Sequence, residues 1–319
     1  MQNGNLMIVQ GGGPTAVFNA SLSAVIASAQ PAFHKIYGAH FGTQGLARNQ
    51  IIDLTAMSPQ DLHRLAHSPG AALGTSRFKP TPEDQQRIVA TLRRLGITAL
   101  IFMGGNGTQR GGSLIAQLCS DSGFDVQIIG VPKTIDNDIA VTHRCPGYAS
   151  AARFVAQSTV DLGMDNRSLR QPVSILEVMG RNVGWLAAAS TLAKLHEDDA
   201  PHLVYLPELP FDKDRFQQPD PSQSDPTVRP LISGVGQHLA DLAGHALRLR
   251  CRAEKPGLLG RASIALASPQ DQHDAALVGR DAIAALLAGA TNQMVALHPL
   301  STSGEATTYL VPIADVAGH

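Results

Sequence analysis

Short apolar runs alternate along this chain with segments of helical periodicity, and the joint between them is repeatedly a glycine-rich turn. Residues 6–10 (LMIVQ) read as a strand, Gly11-Gly12-Gly13-Pro14-Thr15 as a turn, and 16–30 as an alanine-rich helix. A strand over 35–39 and a turn over 42–45 follow. Thr81 is an N-cap candidate and Pro82 suits the first helical position, so a helix runs from there to Leu95 and stops at Gly96. Residues 99–103 (ALIFM) predict a buried strand, 104–112 (GGNGTQRGG) a glycine turn and 113–118 a helix. Further strands are expected over 126–131, 173–178, 202–206 and 263–267, and helices over 148–162, 235–249 and 274–287, with an apolar segment over 185–195. The chain closes on an apolar segment over 294–299 and an edge strand over 307–312. Residues 211–230 break the pattern, with Pro219, Pro221, Pro226 and Pro230 among Gln, Ser and Asp, which marks a loop. No internal repeat is present.

Such β–α alternation implies a mostly parallel sheet covered by helices, with ligands bound beyond the C-terminal ends of the strands. Each glycine turn lies at such an end. Glycines there let backbone N–H groups approach an anion, and a helix N-terminus adds favourable partial charge. The same turns also serve simply to reverse the chain and pack helix on sheet.

Composition narrows the class. With 319 residues, 44% of them hydrophobic, the chain suffices for one large or two modest cores. A formal charge of −1 leaves no basic excess, so neither nucleic acid nor membrane is an expected partner. Cys119, Cys145 and Cys251 lack ligand spacing and read as free thiols in a reducing compartment. No basic leader follows Met1 and no run approaches about 18 apolar residues, so a soluble cytoplasmic protein is expected. His34, His40, His143 and His273 show no ligand spacing, Trp185 is expected in the core, and Arg167 and Arg170 either bind phosphate or are solvated.

The densest chemistry lies in Gly130-Val131-Pro132-Lys133-Thr134-Ile135-Asp136-Asn137-Asp138-Ile139. Two carboxylates, two residues apart, follow a buried strand in a polar turn. One could act as base toward an acceptor hydroxyl while the other organises a metal; alternatively both are solvated aspartates of an Asx-type turn. The small-residue stretch 70–78 adds Arg77, whose guanidinium suits a forked grip on phosphate oxygens.

Residues 132–139 resemble the catalytic signature of the phosphofructokinase family. With them, in the family's order and spacing, come 11–19, 74–78, 104–112, Gly147-Tyr148 and Glu177-Val178-Met179-Gly180-Arg181. The resemblance covers residues 6–287 and the length matches short bacterial subunits. It implies an α/β fold of two Rossmann-like three-layer α/β/α domains with mostly parallel sheets and the active site between them. Residues 1–147 with 258–305 would form a donor-binding domain and 148–257 an acceptor-binding domain, to which 306–319 could return. By the same resemblance Asp136 would be the general base, with Lys133 and Thr134 as its catalytic neighbours, and Thr134 contacting the acceptor. Gly12, Arg77, Phe78, Gly105, Asn106, Gly107 and Thr108 would hold the phosphoryl donor. Met179, Gly180, Arg181, Arg252 and Arg261 would bind the acceptor, and Asn106 and Asp138 would serve Mg²⁺. Arg252 would complete a neighbouring subunit's site, which implies a homodimer or homotetramer.

Several positions depart from the family. Asn106 replaces the usual Asp and can offer Mg²⁺ only a neutral oxygen. Gly107 leaves open the space in which diphosphate-using members carry an Asp that excludes a nucleotide, whereas Lys133 occurs in those members and in some ATP-dependent ones. ATP is therefore the expected donor and diphosphate the alternative. Pro172, with Arg170 nearby, falls where the family has a basic residue, Gly234 where it has a Glu, Leu258 where it has a His, and Gly260 where it has a Gln. These losses remove hydrogen bonds that would read a phosphosugar. Fructose 6-phosphate is the default acceptor, another sugar or polyol an alternative, and a non-catalytic regulatory paralogue a second alternative.

Overall fold

The computed structural model describes residues 4–169, 172–209 and 234–317. The chain divides into two compact units, Met1–Ala151 with Arg261–His319, and Ala152–Gly260. The first contains β1 (Asn5–Gln10), α1 (Phe18–Ala29), β2 (Lys35–Ala39), α2 (Thr43–Ala47), β3 (Ile51–Asp53), α3 (Pro59–Ala66), α4 (Pro82–Arg94), β4 (Ile97–Gly104), α5 (Asn106–Asp121) and β5 (Gln127–Pro132). After α6 (Tyr148–Ser168), which crosses into the second unit, come β6 (Pro172–Leu176), α7 (Trp185–Ala189), α8 (Val235–Leu247) and β7 (Arg250–Glu254). The first unit resumes with α9 (Pro269–Leu287), β8 (Gln293–Leu297), β9 (Thr308–Pro312) and α10 (Ile313–Ala317).

Seven strands form one sheet in the order β3-β2-β1-β4-β5-β8-β9. Its five central strands are parallel and the two outer pairings, β2–β3 and β8–β9, are antiparallel. Strand periodicity sorts the core into two layers. Leu6 and Ile8 face one side with Phe18, Leu22, Ile26, Ile283 and Leu286 of α1 and α9. Met7 and Val9 face the other with Ile88, Leu92, Ile115 and Val316 of α4, α5 and α10. The crossover from β1 turns to β2 and the chain later returns to β4 on β1's other side. The C-terminal ends of β1 and β4 thus flank a topological switch point, where open α/β sheets bind ligands. Among the described residues the second unit pairs β6 with β7, also in parallel.

Helix signals explain the boundaries. Thr81 and Asp84 form a capping box over Pro82, with Glu83 and Asp84 in the first turn and Arg93 and Arg94 in the last. Ser268 caps α9 with Pro269 behind it, so that helix begins five residues before the predicted Asp274 start. Most of the predicted turn over 104–112 is helix: α5 begins at Asn106, and only Gly104 and Gly105 make the turn. Most of the turn predicted over 42–45 likewise belongs to a short helix, Thr43–Ala47.

Other expectations are corrected. Residues 202–206 carry apolar residues but pair with no strand among the described residues. Residues 264–266 form a 3₁₀ turn instead of a strand, because a short apolar run does not distinguish the two by period alone. Trp185 is 51% exposed at the start of α7 and is not a core residue. Because β9 pairs with β8, residues 306–317 stay with the first unit and do not return to the second. The predicted loop over 211–230 lies outside the described residues. No helix among the described residues is long and apolar enough to cross a membrane.

Gln109 stitches the ligand end of this sheet together. It is fully buried on α5 and donates from Nε2 to Gly104 O at 3.0 Å and Val131 O at 3.1 Å, the last turns of β4 and β5. Replacing Gln109 with Ala removes a buried donor from both strand ends, although Gly104 O keeps Lys133 N at 3.2 Å, and should lower unfolding free energy by about 1–2 kcal/mol, read as a reduced urea midpoint.

Candidate active site

Gly11 follows β1 and donates its N–H to Met103 O at 2.9 Å, drawing the turn against β4. The Thr108 side chain fills the space between Gly11 and Gly104, and a Cβ on either glycine would collide with it. Gly12 adopts φ +77°, a left-handed conformation that favours glycine. Gly105 caps α5 with extended backbone and no side-chain bond, and the first helical turn carries no acidic residue. The leading N–H groups of Asn106 and Gly107 therefore present an uncompensated positive end. A Cβ on Gly107 would meet nothing within 4 Å.

Arg77 and Phe78 are set by a loop that two buried amides hold. Asn19 donates to Ser68 O at 3.1 Å and accepts from Ala72 N at 2.9 Å, while Gln10 Oε1 accepts from Leu73 N at 3.0 Å. Phe78 leans on the core beside α4, and Arg77 is exposed.

Beyond β5 the acidic turn is internally braced. The Thr134 hydroxyl accepts from Asp136 N at 3.1 Å and donates to Asp138 Oδ1 at 3.0 Å. Asn137 takes φ +54° and its Oδ1 accepts from Cys145 N at 2.9 Å. This is an Asx/Thr-braced turn, and it also presents Asp136 and Asp138, so the two readings of the motif are compatible. Asn106 Nδ2 donates to Asp138 O at 3.1 Å, which leaves Asn106 Oδ1 buried with no partner. An orphaned amide oxygen, on a side chain tied to Asp138 through its backbone O, is a neutral ligand that suits Mg²⁺, which takes few protein ligands and fills its shell with water and phosphate. Among the described residues no three His, Cys, Asp or Glu side chains gather as a metal cluster.

Lys133 is 4% exposed, donates from Nζ to Gly13 O at 2.6 Å, and stands 5.0 Å from the Phe18 ring centroid. Burial, and next the Arg261 guanidinium, push its pKa down to about 8, against the pull of Asp136 and Asp138. Arg261 belongs to the first unit and lies across Gly13, in the company of Arg77, Lys133 and Asp136.

The remaining predicted acceptor residues lie in the second unit. Gly180 takes φ +114°, and a Cβ there would stand 2.7 Å from Val183 O, so the turn that carries Met179 and exposed Arg181 requires glycine. Glu177 just before them is structural: it pairs with Lys255 at 2.6 Å and accepts from Gly236 N at 3.0 Å, capping α8. Arg252 is half-buried on β7 opposite Ser174, and Pro172 is opposite Arg250. Gly234 has φ +96°, which disfavours a Glu there, and Leu258 is 64% exposed. Arg167 pairs with Asp199 at 2.6 Å and is not a free phosphate ligand, while Arg170 lies outside the described residues.

A family model described as Phosphofructokinase matches residues 5–225. The chain belongs to the phosphofructokinase family. One family relative is the pyrophosphate–fructose 6-phosphate 1-phosphotransferase of Rhodospirillum rubrum, 34% identical over all of this chain and 88% of the relative. That alignment runs over 358 positions against 319 residues, so the relative carries stretches this chain lacks. A sulfofructose kinase of Alkalicoccus urumqiensis is 33% identical over 91% of this chain and 82% of its own length. The crystal structure of a pyrophosphate-dependent phosphofructokinase from Marinobacter aquaeolei superposes with TM-score 0.87 at 31% identity, covering 99% of this chain and 84% of that one.

Sequence reasoning missed Asn137, Gln109, Gly13 and Asp271. Asn137 was readable as an Asx-turn former. Buried Asp271 of α9 accepts from Gly147 N at 2.8 Å and Ser150 N at 3.0 Å, and Gly147 bridges to Thr134, a link across 124 residues that no local pattern announces.

Because Lys133 is charged only below about pH 8 in the ligand-free protein, affinity for an anionic donor should fall as pH rises through that value. Calorimetric titration of diphosphate from pH 6.5 to 9.5, on the order of one unit either side of the transition region, should show the loss. Lys133→Met should bind weakly at every pH and lose that component of the pH dependence.

Proposed function

We propose that this chain transfers a phosphoryl group from ATP to a hydroxyl of fructose 6-phosphate or a closely related anionic ketose. The observation that carries the reading is the braced acidic turn, with Asp136 and Asp138 fixed through Thr134, and Asn106 tied to Asp138 O while its own side-chain oxygen is unpaired. Asp136 takes the proton from the acceptor hydroxyl as its oxygen attacks phosphorus and the bond to the leaving oxygen breaks. Lys133, Arg77 and the α5 N-terminus neutralise donor oxygens. Asn106 and Asp138 would hold Mg²⁺, which supplies charge neutralisation across the phosphates when bound. In the second unit Met179, Gly180, Arg181 and Arg252 are assigned to the acceptor.

Open space at Gly107 supports ATP, since nothing there crowds a nucleotide. Diphosphate is a second reading, favoured by buried Lys133 and by the names of the Rhodospirillum and Marinobacter relatives. Sulfofructose is a second acceptor, favoured by the name of the Alkalicoccus relative together with Pro172, Gly234 and Leu258. We assign the chain to the cytoplasm and read it as a homodimer or homotetramer; exposed apolar side chains such as Leu195 and Leu259 support the assembly.

The test is turnover of purified protein with fructose 6-phosphate and with sulfofructose, each with ATP and with diphosphate. At least one pair should react, and Asp136→Asn should lower kcat by about 10²–10⁴-fold. No turnover with any pair would favour a non-catalytic regulatory protein. Gly107→Asp should depress ATP use and spare diphosphate use. If only diphosphate reacts in the parent protein, the donor assignment fails.

A further inference from the structure

Arg261 stands at the spacing the family uses for the acceptor's anionic group, yet its guanidinium lies on the first glycine turn. A Cβ on Gly13 would meet Arg261 Nη1 at 3.0 Å and Cζ at 3.3 Å. Lys133 holds the same turn through Gly13 O at 2.6 Å, and its Nζ would be 3.1 Å from a Cβ on Gly12. Arg77 is near enough to repel Arg261 and Asp136 near enough to attract it, and burial disfavours the charged guanidinium further. A guanidinium and an ammonium, those of Arg261 and Lys133, thus converge on one turn. Among the described residues neither of these, nor Arg77, has an ion pair with a carboxylate. Like charges gathered with no carboxylate in ion-pair contact suit a multiply charged anion, and the planar fork of arginine suits phosphoryl oxygens.

We propose that Arg261 grips the phosphoryl group in transfer, on the donor side, and not the anionic end of the acceptor. The inference rests on the phosphotransferase reading above. Its charge then serves the oxygens of the group whose bond to the leaving oxygen breaks as the bond to the acceptor oxygen forms. It also leaves Arg252, in the second unit, as the arginine of that pair assigned to the acceptor.

Binding of inorganic diphosphate and of ATP, each without acceptor, is measured by titration calorimetry on the full chain and on Arg261→Gln. Donor affinity should fall about 10–100-fold, the loss of one charge-assisted contact. The acceptor KM should stay within about twofold while kcat falls. Arg261→Lys, which keeps the charge without the fork, should lose less and serves if Arg261→Gln fails to fold. Gly13→Ala, whose Cβ displaces the guanidinium, should weaken donor binding in the same direction. Unchanged donor affinity with an acceptor KM raised about tenfold or more would overturn the proposal. A wild-type protein that binds neither donor would instead sink the phosphotransferase reading, and this proposal with it.

Discussion

How closely parallel strands can end together governs the first unit. At the ends of β1, β4 and β5, Gln10 lies beside Met103 and Gly104 beside Pro132. The glycines at 11 and 104 leave a gap that the Thr108 side chain fills, so α5 can begin directly over the strand ends. With Cβ atoms at those positions the helix would have to retreat. Asn106 could then not reach Asp138 O. Close backbone approach is thus the constraint from which the uncapped start of α5 and its link to the acidic turn follow.

Polar groups buried at this junction give it rigidity rather than a large net stability. Gln109 satisfies carbonyls of two strands, and Asn19 and Gln10 secure the loop before Arg77. Each bond contributes modestly to net stability, but removing one partner exposes the full desolvation cost of the other. Asp271 extends the same logic from α9 to Gly147 and, through the bridge, to Thr134. The turn carrying Asp136 is therefore fixed from its own residues, from α5 and from the far end of the sequence.

The second unit shows how one glycine is built into its surroundings at Gly234. Its left-handed φ opens α8, whose N–H at Gly236 is satisfied by Glu177, and Glu177 is held in turn by Lys255. Backbone geometry and a salt bridge together hold this turn in place.

Element types along β1, β4 and β5, the capped α4 and the chemistry of the 132–139 segment were legible in the sequence, because strand period, helix caps and turn chemistry act over a few neighbours. The family relation was legible too, since it rests on motif spacing. Local pattern misjudged 104–112, where glycines suggested a turn although the first helical turn tolerates them at little cost once the strands hold Gly105 in place. It also misplaced 202–206 and Trp185, because an apolar run does not say whether a partner strand or a core exists to receive it. Pairing decided the place of β9, and long-range hydrogen bonds decided the roles of Gln109 and Asp271. The position of Arg261 against Gly13 was likewise settled only by folding, since spacing along a chain fixes neither the direction of a long side chain nor the charges it meets.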